Sequence, residues 1–279
     1  MSQISCMSFN ILAWDTNRRG FDKNYVRFPL VVETIRDEDP DLIGIQEAQQ
    51  YKCFLSSDFE WCQKLIDAMD ELGYAHCAIK DDKGFIHGRQ NICCGLIIFY
   101  KKDRFTLKDR GAFFYPHSNY RYFQWVKLYD NKFERQVLFT NTHLSIDPKV
   151  GDSKLPALGN AHRTTEAGYL LDFWRKNCSD GCALFATGDY NSYHTSTPHE
   201  ILKALHFKPS AEIAEIPDVN GTMNGMIWPY ALDYCYINTK AQNVLQYKVV
   251  IRRFETGTDA KLWGFPSDHR PIMTYCDYK

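Results

Sequence analysis

Apolar positions along this chain switch between short strand-like runs and longer helical faces. Residues 3–9 read as a strand, and the apolar run 41–46 after Pro40 reads as a buried one. Between 58 and 72, Cys62, Leu65, Ile66, Met69 and Leu72 fall at i, i+3, i+4, i+7 and i+10, one face of a helix that Gly73 ends. Residues 25–37, 158–177 and 197–205 read as further helices, the last with Pro198 in its first turn. Strands are expected at 74–80, 91–100, 104–107, 122–129, 135–144, 182–186, 232–237, 247–252 and 271–275. The loosest stretch is 213–229, with Pro217, Gly221, Gly225 and Pro229, short enough for a loop near a site. No linker or low-complexity tract interrupts the pattern, so one domain over 1–279 is expected. Two rounds of strands followed by helices predict an α/β fold, two sheets covered outside by helices.

Composition narrows the function classes. Of 279 residues, 44% are apolar, enough for a sizeable core, which excludes intrinsic disorder. Lys plus Arg number 33 and Asp plus Glu 34, for a net charge of −1. That argues against a surface coated in basic residues to grip nucleic acid, though not against a local patch. The longest apolar stretches, such as 95–100, fall far short of the ~18 residues of a spanning helix. The opening residues carry no basic leader, and a cytoplasmic protein is expected. The ten cysteines are scattered, with no zinc-ribbon pair, and read as buried reduced thiols; Cys178 and Cys182 could pair only if the turn between them allowed it.

Chemistry-bearing residues gather at strand ends, where sites are built on loops. Asn10 follows the first strand, and alone it reads as a turn residue. Glu47 ends the second, either solvated or aimed at a hard cation that takes oxygen ligands. His143 closes an Asn-Thr-His string after an apolar strand. Gly188-Asp189-Tyr190-Asn191 sets a carboxylate and a carboxamide two apart, on one side of an extended backbone, able to orient water and hold a phosphoryl oxygen. Asp233 opens another strand, and Ser267-Asp268-His269 precedes the last. His269 can carry a proton near neutral pH, and Asp233 is the natural carboxylate to hold its tautomer.

Each string alone has an ordinary reading, but their order across nearly the whole chain resembles the endonuclease/exonuclease/phosphatase superfamily, metal-dependent phosphoesterases related to pancreatic deoxyribonuclease. The resemblance runs Asn, Gln-Glu, Asn-Thr-His, Gly-Asp-x-Asn, Asp-Tyr, Ser-Asp-His from Asn10 to Pro271. It implies a four-layer sandwich of two mixed sheets flanked by helices. It implies Glu47 as main Mg²⁺ or Mn²⁺ ligand, with Asn10 and Asp268 close to the metal. Asp189 would orient or deprotonate the attacking water, and Asn191 would hold a non-bridging oxygen. His143 would hydrogen-bond the phosphoryl group. His269 would act as base or stabiliser, oriented by Asp233. Several relatives pair the first histidine with a glutamate in the strand matching 91–100; here that stretch begins Asn91-Ile92-Cys93-Cys94, so His143 lacks that partner unless Asn91 takes part of the role.

The expected activity is hydrolysis of a phosphodiester or phosphomonoester by activated water, with a small molecule, lipid headgroup or nucleic acid as substrate and a monomer as the working unit. A small or structured ester is favoured by the low net charge; a nuclease and a catalytically silent binding module are the alternatives. The inositol-phosphatase branch is disfavoured by Ser192 and His269, whereas Gly-Asp-x-Asn-Ser with Thr197-Pro198 resembles bacterial and deadenylase-like members. Trp14, Phe113, Phe114, Tyr115, Tyr120, Tyr122, Trp228, Tyr230 and Trp263 read as rim or core packing, and Lys101, Lys102, Arg104, Lys108 and Arg110 as a solvated strand and turn.

Overall fold

A parallel strand pair needs a long crossover, usually a helix, and the chain makes two such units. In the first, β1 (Gln3–Asn10) passes through α1 (Asn24–Glu38) to β2 (Leu42–Ala48); in the second, β9 (Arg135–His143) passes through α3 (Leu155–Asn177) to β10 (Ala183–Asp189). The computed structural model describes residues 3–13, 21–48, 61–78, 80–81, 84–85, 95–118, 121–146, 155–224, 231–258 and 264–279.

Every other pairing in the two main sheets is antiparallel. Around the first unit lie β3 (Tyr74–Ala78), β6 (Gly95–Lys101), β13 (Gln242–Val249) and β14 (Ile272–Tyr278), in the order β13-β14-β1-β2-β6-β3. Around the second lie β7 (Phe105–Phe114), β8 (Tyr122–Asp130), β11 (Phe207–Pro209) and β12 (Asp233–Asn238), in the order β11-β12-β10-β9-β8-β7. A small ladder joins β4 (Lys80–Asp81) and β5 (Gly84–Phe85), and α2 (Trp61–Glu71), α4 (Thr197–Leu202) and α5 (Ser210–Ile213) complete the elements.

The layering follows from strands buried on both faces. In β1, Ile4 and Cys6 point into the inter-sheet core with Val126, Phe139 and Phe185. Met7 and Phe9 point outward to Ile35 of α1 and Leu65 and Met69 of α2. On the second sheet, Leu170 and Trp174 of α3 cover Leu138, Leu184 and Tyr236. The result is the expected four-layer α/β sandwich of two mixed sheets flanked by helices. No described helix is long and apolar enough to cross a membrane.

Several expectations are corrected. The strand expected at 104–107 runs on to Phe114, because β7 is an edge strand whose alternation is blurred by exposed Thr106, Lys108, Asp109 and Arg110. The strand expected at 247–252 runs from Gln242 to Val249, and of the aromatics read as rim or core packing Tyr115 and Tyr122 belong to the core. β11 and α5 are too short, at three and four residues, to leave a periodic signal. Cys178 and Cys182 do not pair: the Cys178 thiol donates to the Cys182 carbonyl at 3.3 Å, and the seven described cysteines are free and buried. Residues 58–60 and 91–94, Trp14, Tyr120, Trp228, Tyr230 and Trp263 lie outside the described residues.

Candidate active site at the carboxyl ends of the parallel strands

Both crossover units point their carboxyl ends to the same edge of the sandwich. Asn10, Glu47, His143 and Asp189 stand at or next to the ends of β1, β2, β9 and β10, and register aligns them further: Asp189 pairs with His143 on one side and with Asp233 on the other. The turn before β14 brings Asp268 and His269 to that edge, where Met223 forms an isolated bridge with His269. The described part of the loose stretch, residues 213–224, reaches these residues at Met223 and Asn224; residues 225–229 lie outside the described residues.

Asn10 Nδ2 donates to Glu47 Oε1 at 3.2 Å and to Asp189 Oδ2 at 3.0 Å, tying the two sheets together at the edge. Glu47 is re-aimed by a register irregularity between Ile45 and Ala48 and has left-handed backbone, φ 58. Such strain in a non-glycine residue persists only where neighbours over-determine it. Carboxylate and imidazole atoms of Glu47, His143 and Asp189 lie within 4.8 Å of one another, as do those of Asp189, Asp233 and His269. Asp268 belongs to neither group; its Oδ1 accepts a long 3.4 Å bond from Ser267 Oγ. Asn191 Nδ2 donates to the carbonyl of Leu144, the residue after His143, at 3.0 Å, while its backbone N–H caps Asp189 Oδ1 at 2.9 Å.

The two histidines occupy opposite electrostatic settings. His269 Nδ1 is 2.8 Å from Asp233 Oδ2, and its Nε2 is 3.7 Å from Asp189 Oδ2. Burial works against the charged ring, but Asp233 and Asp189 outweigh it and hold His269 well above the usual histidine range. His143 Nε2 lies 3.4 Å from Asp189 Oδ2, and its buried Nδ1 has no hydrogen-bond partner among the described residues. Burial, helped by the charges of Arg121 and His269, pushes His143 well below the usual range. Burial also pushes Asp189 up to about 7, against the pull of His269, with Asp233 and Glu47 adding to the rise.

Three supports escape sequence reasoning. Fully buried Arg27 donates to the carbonyls of Ile11 (3.0 Å), Leu12 and Pro266 (2.6 Å), joining the turn after Asn10 to the turn before Asp268. Burial pushes it down to about 10 against the opposing charges of Asp268, Glu47 and Asp22; its only sequence signal is an arginine on the buried stripe of α1. Gln46 and Asn141, read only as parts of motifs, bond each other across the sheets at 2.7 Å, and Asn141 reaches the Ile45 carbonyl at 2.8 Å. Buried Glu166 of α3 accepts from Ser145 N (2.8 Å) and Oγ (2.6 Å), fixing the turn after His143.

No protein-family model matches the sequence, and no curated protein matches it. Solved structures do. An endonuclease/exonuclease/phosphatase from Bacteroides vulgatus superposes with a TM-score of 0.76 at 17% identity, covering 100% of both chains. A mannosyl-6-phosphatase from Bacteroides thetaiotaomicron gives 0.74 at 20% identity over 98% of this chain and 99% of that one. The human Nocturnin catalytic domain with a bound sulfate anion gives 0.72 at 19% identity over 100% and 94%. At these identities the likeness is one of architecture: the chain has the fold of the endonuclease/exonuclease/phosphatase family.

Proposed function

We propose that the protein is a divalent-metal-dependent phosphoesterase that hydrolyses its substrate with an activated water. The observation that carries this reading is the convergence of Glu47, His143, Asp189, Asp233 and His269 into two overlapping groups of possible ligand atoms, each within 4.8 Å, at one edge of the sandwich. The similar chains support it, since one is named a mannosyl-6-phosphatase and another holds sulfate, a tetrahedral anion like phosphate.

The donor set fits a hard cation. Burial, with the charges of Asp233 and Glu47 adding to it, raises the proton affinity of Asp189, and Asp233 Oδ1 is buried without a hydrogen-bond partner among the described residues, so the cluster is a place where a cation relieves crowded negative charge. Glu47, Asn10 and Asp268 would hold Mg²⁺ or Mn²⁺, which supplies charge neutralisation at a phosphoryl oxygen. Asp189 takes the proton of the attacking water, an assignment supported by an affinity matched to neutral pH. Protonated His269, oriented by Asp233, donates to the phosphoryl group where negative charge grows. Neutral His143 donates from Nε2, and Asn191 contributes its carboxamide to a non-bridging oxygen.

A small phosphoester is favoured over a polynucleotide. Next to the turn after Asn191 and the start of β12, and lined by none of the eight candidate residues, a cavity of about 560 Å³ has Tyr193, Tyr234, Tyr247, Glu212 and Asp218 in its wall and no lysine or arginine in its described lining. Two carboxylates there repel a polyanion and suit an uncharged organic group. Seven buried free thiols support a reducing, cytoplasmic setting.

The test is release of p-nitrophenol from bis-p-nitrophenyl phosphate and of phosphate from sugar and nucleoside monophosphates. Activity is expected to require Mg²⁺ or Mn²⁺, to vanish with EDTA, and to fall in Glu47→Ala and His269→Ala. Full activity in both variants overturns the reading of the site, and metal-independent activity overturns the cofactor.

A further inference from the structure

Asn191 needs help to stay where phosphate chemistry would use it. Its φ of 48 places it in the left-handed region, which a side chain disfavours. Two bonds hold it from above: its N–H on Asp189 Oδ1 and its side chain on the Leu144 carbonyl. The next carbonyl, that of Ser192, is held from below by the imidazole of His199, with Nε2 at 3.1 Å.

His199 is fully buried on α4. A carbonyl only accepts, so Nε2 carries the proton, and Nδ1 must accept from the Tyr236 hydroxyl at 2.5 Å. The ring packs against Tyr234 at 4.3 Å and Tyr190 at 5.5 Å, which leaves it one orientation. The turn gains one further internal bond, Ser192 Oγ to the Tyr190 carbonyl at 3.0 Å. Thus one neutral imidazole, fixed on three sides by tyrosines, reaches from the outer helix layer to the backbone of the turn that presents Asn191.

We propose that His199 is a positioning residue for the reaction: by donating to the Ser192 carbonyl it fixes the 190–192 turn and with it the Asn191 carboxamide. The proposal rests on the phosphoesterase reading of the site. Misplacing a reacting group by about 1 Å can cost on the order of 100-fold in rate, so a loosened turn is read in kcat rather than in folding.

The experiment compares wild type with His199→Phe and His199→Gln. Phenylalanine keeps the ring packing and loses the donor; glutamine places an amide nitrogen where Nε2 stood. His199→Phe is expected to lower kcat roughly 10- to 100-fold with KM within about twofold. His199→Gln is expected to recover most of that loss. Amide exchange at residues 190–192 is expected to quicken in His199→Phe, to return toward wild type in His199→Gln, and to stay slow along β10 in both. Wild-type kcat and wild-type exchange in a folded His199→Phe overturn the proposal. So does a kcat loss that glutamine does not rescue, or a change confined to KM. A wild-type protein that hydrolyses no phosphoester with either metal overturns the proposed function instead, and the exchange pattern then decides the positioning role by itself.

Discussion

Replacing Gly44 by alanine tests how the two sheets bring the two halves of the site together. A Cβ at this position would lie 2.0 Å from Thr187 Oγ1 and 2.8 Å from Asn141 Oδ1. Ordinary carbon contacts are about 3.5 Å, so relief demands a shift of roughly 1.5 Å between β2 and the second sheet. Neither neighbour yields freely. Asn141 is fixed by Gln46 at 2.7 Å and by the Ile45 carbonyl at 2.8 Å, and both of its groups are buried. Overpacking costs about 1–3 kcal/mol, and two broken buried hydrogen bonds add about 1 kcal/mol each, for about 3–5 kcal/mol. With an unfolding entropy of about 2.1 cal/mol/K per residue over 279 residues, that is a fall in Tm of about 5–8 °C. Scanning calorimetry reads it. Hydrolysis of bis-p-nitrophenyl phosphate should fall as well, because Glu47 and Asn10 ride on the first sheet and Asp189 on the second. Adding Thr187→Ala removes the shortest contact and should restore part of both losses. A Gly44→Ala protein melting within about 1 °C of wild type would refute the claim that this approach is sterically limited.

Further outcomes are expected. Asp189→Asn should abolish hydrolysis yet stabilise the metal-free protein at pH 8: the folded carboxyl titrates at about 7, above its unfolded value, so its charged form costs stability as pH rises through 7; urea midpoints at pH 8 check this, and a loss of stability contradicts it. Burial pushes His199 down to about 4, below its unfolded value, so its contribution is full above pH 6.5 and drains as pH falls toward 4. Wild type should lose about 2 kcal/mol from this group between pH 7 and 5, and His199→Gln should lack that component in the same urea titration. Asp233→Asn should lower kcat roughly 10²–10⁴-fold, since His269 loses the carboxylate that orients and charges it, and the alkaline limb of its pH–rate profile, where the protonated ring is lost, should move to lower pH. Glu47→Gln should weaken the thermal stabilisation given by added Mg²⁺ or Mn²⁺, measured as a change in Tm against metal concentration.

Legibility in the sequence followed what each residue had to do locally. β1, β2, β9 and β10 were readable because strands buried on both faces are continuous apolar runs, and their polar last residues stand out against them. β7 was cut short because an edge strand meets solvent and loses its alternation. The eight candidate residues were readable as strings, but their partners were not. Arg27 looks like any helical arginine until the chain places three carbonyls around it. Gln46 and Asn141 look like site residues, and it takes the packing of one sheet on the other to reveal them as a bridge. His199 sits in a six-residue helix, where no periodicity marks a buried face. Such roles arise from contacts between residues far apart in the chain, which a local pattern does not encode.

The placing of β14 has a consequence during synthesis. It lies between β13 and β1, so the first strand of the chain waits for the last to fill its open side. Some 262 residues separate Asn10 from Ile272, or roughly 13–50 s of translation at about 5–20 residues per second. The turn carrying Asp268 and His269 is made within those final residues. A truncation before residue 268 therefore leaves the β14 side of β1 unpaired and removes Asp268 and His269 together.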